Sequence, residues 1–279
     1  AAEAMTVMRE GKPRLLDYGA GSPVLDVQLT CGGRIAIFVR ELADPADHAA
    51  RLRRARDARQ VLTLHTDLHT GEHHYFVDEA GKAVEPTLPG FMFAQSYLPP
   101  TRLMLVGNNP IALAVCEMAP ALGLEVGLLR PYGPATLPPG IQVDYYDRQA
   151  LEKAVAAMPI DPWTAVYTVT HHAEDDQAVL LRALPSPAFC VGVLGSRKKI
   201  QLRLSDLSSA GLDDTARDRL HAPAGLPIGA RGPHEIALAI LAQIVAERPT
   251  PTCTPPADLA SLTTVGDGTY PAALATCPV

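Results

Sequence analysis

The rhythm of hydrophobic and polar positions changes near residue 100. Beyond Arg102, short aliphatic runs alternate with stretches whose apolar positions recur at helical spacing. RLMLVG, EVGLL, TAVYTVT and FCVGVL read as strands, and PIALAVCEMAPAL (closed by Gly123), DRQALEKAVAAM and DDQAVLLRAL as the helices between them. IQLRLSDLSSAG continues as a helix. A loop, RLHAPAGLPIGARG, then leads to the apolar helix PHEIALAILAQIVAE, with Pro233 near its first turn. Strict strand-helix alternation predicts an α/β fold, a Rossmann-like doubly wound parallel sheet.

The first hundred residues follow no such alternation. AAEAMTVMREGK and ADHAARLRRARDARQ are helical, whereas PRLLDYG, LDVQLTCGGRIAIFVREL and VLTLHTDLHTGEHHYFVDEAGKAV read as strands with turns, an α+β pattern. EPTLPGFMFAQSYLPP has prolines at both ends and no clear period between them, which places a linker at about residues 86–100. The expected organisation is therefore a smaller α+β domain over 1–88, the Rossmann-like domain over 100–248, and a Pro/Thr-rich, loosely held tail over 249–279. The chain opens at Ala1 in what already reads as the middle of a helix, so preceding residues are expected. There is no internal repeat.

With 279 residues, about two domains at roughly 150 residues each are expected. The chain carries 24 Lys+Arg against 30 Asp+Glu, a net charge of −6, which offers no basic field for a nucleic-acid backbone. No uncharged apolar run reaches the roughly 18 residues of a membrane span, and no secretory signal pattern opens the chain. A cytoplasmic protein is expected. Five cysteines, an odd number without CxxC spacing, suggest neither a disulfide framework nor a four-cysteine zinc site.

In open sheets of this kind ligands collect beyond the carboxyl ends of the strands. The residues there are Asn108 and Asn109, then Arg130, then Thr170, His171 and His172, then Gly195, Ser196 and Arg197. The first turn, Gly107-Asn108-Asn109-Pro110-Ile111-Ala112, is a partial match to a dinucleotide fingerprint: Gly107 and Ala112 fit, Asn109 replaces a glycine, and Pro110 removes an amide donor. Arg130, 23 residues after Gly107, occupies the acidic ribose-binding position and would favour a 2′-phosphate, as in NADP, or another anion. Gly195-Ser196-Arg197 with Lys198 is either an anion cradle or a solvated helix start. His171 and His172, followed by Glu174, Asp175 and Asp176, suit acid/base or metal chemistry, or simply a helix cap. The histidines of TLHTDLHTGEHH lie too far apart along a strand, about 13 Å for residues four apart, to share one ion, and a solvated hairpin fits better. Cys31, beside Gly32 and Gly33, is equally a soft ligand or nucleophile and a buried small residue, whereas Cys116 and Cys190 lie in apolar elements and read as core.

TCGGRIAIFVREL, TVTHHAEDDQAVLLRAL, VGVLGSRKK and RLHAPAGLPIGARGPHEIALAILAQIVAE together resemble the xanthine dehydrogenase accessory factors, the XdhC/CoxI family, from about Ala1 to Glu247. The resemblance implies a two-domain maturation factor rather than a turnover enzyme. Such a factor binds and protects molybdenum cofactor (molybdopterin), supports its sulfuration with a cysteine desulfurase, and delivers it to an apo-molybdoenzyme of the xanthine dehydrogenase type. A homodimer is expected. The family's motifs fall on Cys31-Gly32-Gly33, on Thr170-His171, on Gly195-Ser196-Arg197, and on His221, Pro223, Gly225, Gly229 and Glu235. The expected cofactor-binding set is thus Cys31, Gly32, Gly33, Gly107, Asn108, Asn109, Thr170, His171, Gly195, Ser196, Arg197 and His221, with Cys31 as metal contact. Three departures stand out. The family's front segment, with a further glycine-glycine-cysteine motif, is expected ahead of Ala1 and is not among these residues, Asn108 to Pro110 replace a glycine-rich turn followed by histidine, and Arg130 replaces an acid. Two alternatives remain: a NADP-dependent oxidoreductase or nucleotide-binding module, and a docking module that holds no cofactor.

Overall fold

The computed structural model describes residues 2–19, 34–78, 91–251 and 253–254, so Cys31, Gly32 and Gly33 lie outside the described residues. The described residues fall into two compact units, divided between Pro99 and Pro100 and again between Thr250 and Pro251.

The first unit begins with α1 (Ala2–Glu10), followed by an antiparallel pair, β1 (Arg14–Gly19) and β2 (Arg34–Val39). Next comes α2 (Pro45–Asp57), where Asp44 accepts a hydrogen bond from the Asp47 amide at 2.9 Å and Pro45 occupies the first turn. A hairpin of β3 (Val61–Asp67) and β4 (His73–Asp78) follows, its turn tied by Asp67 Oδ1, which accepts from the amides of His69 and Thr70.

Met92–Tyr97, expected within the linker, forms β5 and pairs antiparallel with β3. It alternates buried Ala94 and Ser96 with exposed Gln95, so the inward positions are too small and polar to register as an apolar stripe. The tail also departs from expectation at its start: after the second unit the chain returns, and β12 (Cys253–Thr254) pairs with β5.

The second unit is a six-stranded sheet, all of its strand pairs parallel. Its strands are β6 (Arg102–Val106), β7 (Glu125–Leu129), β8 (Tyr145–Asp147), β9 (Thr164–Thr168), β10 (Cys190–Val193) and β11 (Leu220–His221). The order β8-β7-β6-β9-β10-β11 is the Rossmann order, and it reverses between β6 and β9. Helices α3 (Pro110–Met118) and α8 (Pro233–Glu247) cover one face, where Val115, Ile240 and Ile244 pack on Leu103, Leu105 and Leu128. Helices α4 (Leu151–Ala157), α5 (Ala173–Ala183) and α6 (Arg197–Ser209) supply Val155, Val179, Leu180 and Leu207 to the core on Met104, Val106, Leu129 and Val191. Burial on both faces is why the central strands read as unbroken apolar runs. A short α7 (Asp214–Asp218) precedes β11.

Two strands of this sheet were not expected. Asp147 ends β8 rather than starting a helix, and its carboxylate accepts from the Gln149 amide, which delays α4 to Leu151. Leu220–His221, expected in a loop, adds β11 beside β10.

Candidate functional site

Chain reversal between β6 and β9 opens a crevice above their carboxyl ends, and its walls are built by close backbone contact. A Cβ at Gly107 would lie 2.6 Å from Val169 Cγ2, so only glycine lets the two strand ends approach this closely. Asn109 locks the same junction. Its Oδ1 accepts from the Ala112 amide at 3.0 Å, capping α3, and its Nδ2 donates to the Val169 carbonyl. With Pro110 lacking an N–H and the Ala112 amide committed to the cap, α3 has little left to offer a pyrophosphate. Asn109 is also buried, so of the expected contacts it faces inward, toward the fold.

On the opposite wall, β9 runs into Thr168 and Thr170, whose hydroxyls donate to Asp176 Oδ1 at 2.6 and 2.7 Å. Arg203 of α6 completes the group. It donates to Asp176 Oδ2 and, through Nη1, to the Leu194 carbonyl at 2.8 Å, so one guanidinium joins α5, α6 and the end of β10. Burial pushes the Asp176 carboxyl above the ordinary carboxylate range, while the threonine hydroxyls and Arg203 pull it down. A Cβ at Gly195 would meet Arg203 Nη1 at 2.5 Å, which gives this glycine a packing reason independent of any ligand.

Between these walls lies a cleft of about 240 Å³, lined by the polar or small Gly107, Asn108, Tyr132, Thr170, His172 and Asp175 and by the apolar Val106, Pro131 and Leu151. Tyr132 is 84% exposed and carries φ of 57°, an uncommon conformation for a large side chain. The first turn of α5 holds Glu174, Asp175 and Asp176, so this helix start supplies acceptors where a phosphate would need donors.

Of the expected contacts, Gly107, Asn108 and Thr170 line the cleft. His171 is exposed and outside its lining; its neighbour His172 takes that place. Gly195, Ser196 and the backbone of Arg197 follow β10. His221 ends β11, where its Nδ1 shares a 3.2 Å hydrogen bond with Gln243 Nε2. Gln243 Oε1 in turn accepts from the Tyr167 hydroxyl and from the Gly225 amide, each at 2.8 Å, and Tyr167 shares a hydrogen bond with Cys190. Cys116 and Cys190 are buried and their thiols pushed up by burial, to about 12 and about 11, which suits core residues and not nucleophiles. Among the described residues no group of three or more His, Cys, Asp or Glu is placed to hold a metal ion. None of the described helices is long and apolar enough to cross a membrane.

Sequence reasoning missed Tyr132 as a lining residue. It follows a carboxyl strand end at slightly greater distance than the residues selected there, so widening that window would have found it; Asp175 was singled out, but for acid/base or metal chemistry or a helix cap rather than as a cleft contact.

A doubly wound sheet with a polar cleft at its switch point defines a domain of Rossmann type. Residues 103–244 match the XdhC Rossmann domain, and the chain belongs to that family. Among relatives, it is 28% identical over 270 residues to the molybdenum cofactor insertion chaperone PaoD of Escherichia coli K12, covering 92% of this chain and 74% of PaoD. It is 27% identical over 159 residues to a probable xanthine dehydrogenase subunit from Bacillus subtilis 168, covering 56% of this chain and 46% of that one. It is 32% identical over 148 residues to the uncharacterized protein YqeB of Escherichia coli K12, covering 52% of this chain and 27% of YqeB. The fold matches the crystal structure of a xanthine dehydrogenase from Bacillus halodurans with a TM-score of 0.69, at 23% identity, over 88% of this chain and 77% of that one.

Proposed function

We propose that this chain is a molybdenum cofactor-binding accessory protein that protects the cofactor, supports its sulfuration by a cysteine desulfurase, and inserts it into an apo-molybdoenzyme of the xanthine dehydrogenase type. It would act in the cytoplasm as a homodimer. The observation that carries this reading is the match to the insertion chaperone PaoD, which runs over 92% of the chain and therefore through both units.

The cleft's chemistry is consistent with the ring end of such a cofactor. A carboxylate at Asp175, a hydroxyl at Thr170, an imidazole at His172 and an amide at Asn108 complement the alternating N–H and C=O groups of a pterin, and Tyr132 offers an aromatic face beside them. Its volume of about 240 Å³ lies below the ~300–1,000 Å³ of pockets that enclose a drug-sized ligand, which suits one ring system better than a dinucleotide. With α3 short of free amides, the NADP alternative is the less well supported reading. In the proposed role Gly195, Ser196 and Arg197 hold the phosphate, His171 and His221 contribute polar contacts, and Cys31, with Gly32 and Gly33, meets the molybdenum end as thiolate. When bound, the cofactor supplies the redox-active metal that the recipient enzyme requires.

The test is anaerobic purification from cells that make molybdenum cofactor, with bound molybdenum and pterin quantified beside a Cys31→Ser variant. Stoichiometric retention in the parent and its loss in the folded variant are expected. Absence of both molybdenum and pterin from the parent overturns the reading, and equal retention in the variant removes Cys31 from the site.

A further inference from the structure

In the first unit, four side chains that carry or can acquire positive charge gather on one face of a small sheet. Register sets that face: Tyr75 pairs with Leu64, His73 with Thr66 and Tyr97 with Leu62, so all three project to the same side as the even-numbered residues of β3. Helix α2 lies on that side. His48 Nδ1 and the Tyr75 hydroxyl share a 2.6 Å hydrogen bond, and the Arg51 guanidinium lies 4.9 Å from the centre of the Tyr75 ring. His73 meets the same ring edge-on at 5.2 Å. Arg40, at the end of β2, interacts electrostatically with Tyr75, Tyr97 and His73, and the Gly71 turn of the hairpin packs over its Cβ.

Among the described residues, acids do not balance this group. Asp47 is its nearby carboxylate, and Arg51 holds it at 2.5 Å. Arg40 is half-buried yet has no carboxylate partner among the described residues, donating through Nη1 to the Glu41 carbonyl. Burial lowers its guanidinium from the ordinary value, and burial together with Arg40, His48, His74 and Arg51 pushes the His73 imidazole down. Drawing an unpaired cation partly out of water costs free energy, and clustering it with further cations costs more. In a chain whose net charge is −6, such a concentration is local and does not follow from composition.

We propose that Arg40, His48, His73 and Tyr75 form an oxyanion site in the first unit that takes a phosphate group, either free or as the ester of a ring-bearing small molecule. The guanidinium supplies planar donors, the imidazoles add N–H donors and charge when protonated, and Tyr75 presents a hydroxyl beside an aromatic face. The site lies within one unit and stands independently of the cofactor-handling role proposed for the chain.

Calorimetric titration of the full chain with inorganic phosphate, in a buffer free of other oxyanions, tests the proposal, with phenyl phosphate as second probe. Saturable one-to-one binding is expected, weakened roughly ten- to hundred-fold in Arg40→Gln and recovered in part in Arg40→Lys. Arg197→Gln, in the second unit, should leave it unchanged. Phenyl phosphate binding roughly tenfold tighter than phosphate assigns the site to a ring-bearing ester, and equal affinity assigns it to the free anion. Circular dichroism and the thermal midpoint establish that the variants fold. If Arg40→Gln misfolds, the ring proton resonances of His73 in the parent give the answer, since bound phosphate should shift them and raise the pH at which they titrate. No binding at millimolar phosphate, full affinity in folded Arg40→Gln, or unmoved His73 resonances overturn the proposal.

Discussion

Asp176 and Arg40 are both charges drawn out of water, and the two units treat them differently. In the second unit Asp176 is wholly buried and met by two threonine hydroxyls and the Arg203 guanidinium, so its charge is answered from within the same fold. In the first unit Arg40 is half-buried among two histidines, two tyrosines and a second arginine, with Asp47 already held by Arg51. A buried charge answered internally works as a clamp, joining α5, α6 and the end of β10. A half-buried one left unanswered is a place where the fold expects something from outside.

That contrast is broken most directly by removing the internal partner. Arg203→Met leaves the Asp176 carboxylate uncompensated and should cost about 3–5 kcal/mol in denaturant unfolding. Arg40→Met, by comparison, should stay within about 1 kcal/mol; a loss as large as that of Arg203→Met would erase the distinction. Gly195→Ala, whose methyl would press on the pinned guanidinium, should cost about 1–3 kcal/mol. Asn109→Ala removes the α3 cap together with its tie to Val169 and should cost about 1–2 kcal/mol, read as a lower thermal midpoint.

The smallest effect sharpens the other side of the comparison. Because His73 titrates below its ordinary value in the folded chain, its contribution to stability is present above about pH 6.5 and is lost as pH falls through the folded value. The thermal midpoint should therefore decline more steeply on acidification in the parent than in His73→Gln. Parallel profiles would show that the cationic cluster does not strain the first unit.

Much of the second unit was legible because its central strands are buried on both faces and its helices carry regular apolar spacing. What escaped has physical reasons. β8 and β11 are three and two residues long, too short for any period. β5 presents alanine and serine to the interior, and these do not stand out as apolar. The residues after each strand could be named as candidates, and several do line the cleft. Their division into cleft-facing Asn108 and inward-facing Asn109 depends on a hydrogen bond to Val169, 60 positions away. The Asp176–Arg203 pair likewise joins residues 27 apart, with nothing local in either segment to announce it. The Arg40 cluster draws on the residue after β2, on α2 and on β4, and nothing local to the hairpin announces that His73 meets Arg40 from a different sheet.

The return of the chain to pair β12 with β5 has a consequence in time. A ribosome releases β1 to β5 first, then the whole of the second unit, and only afterwards the residues that finish the edge of the earlier sheet. The unit begun first is thus completed last. The later-made domain can be folded before its predecessor closes, and one proteolytic cut between the two leaves them still joined by the other strand of chain.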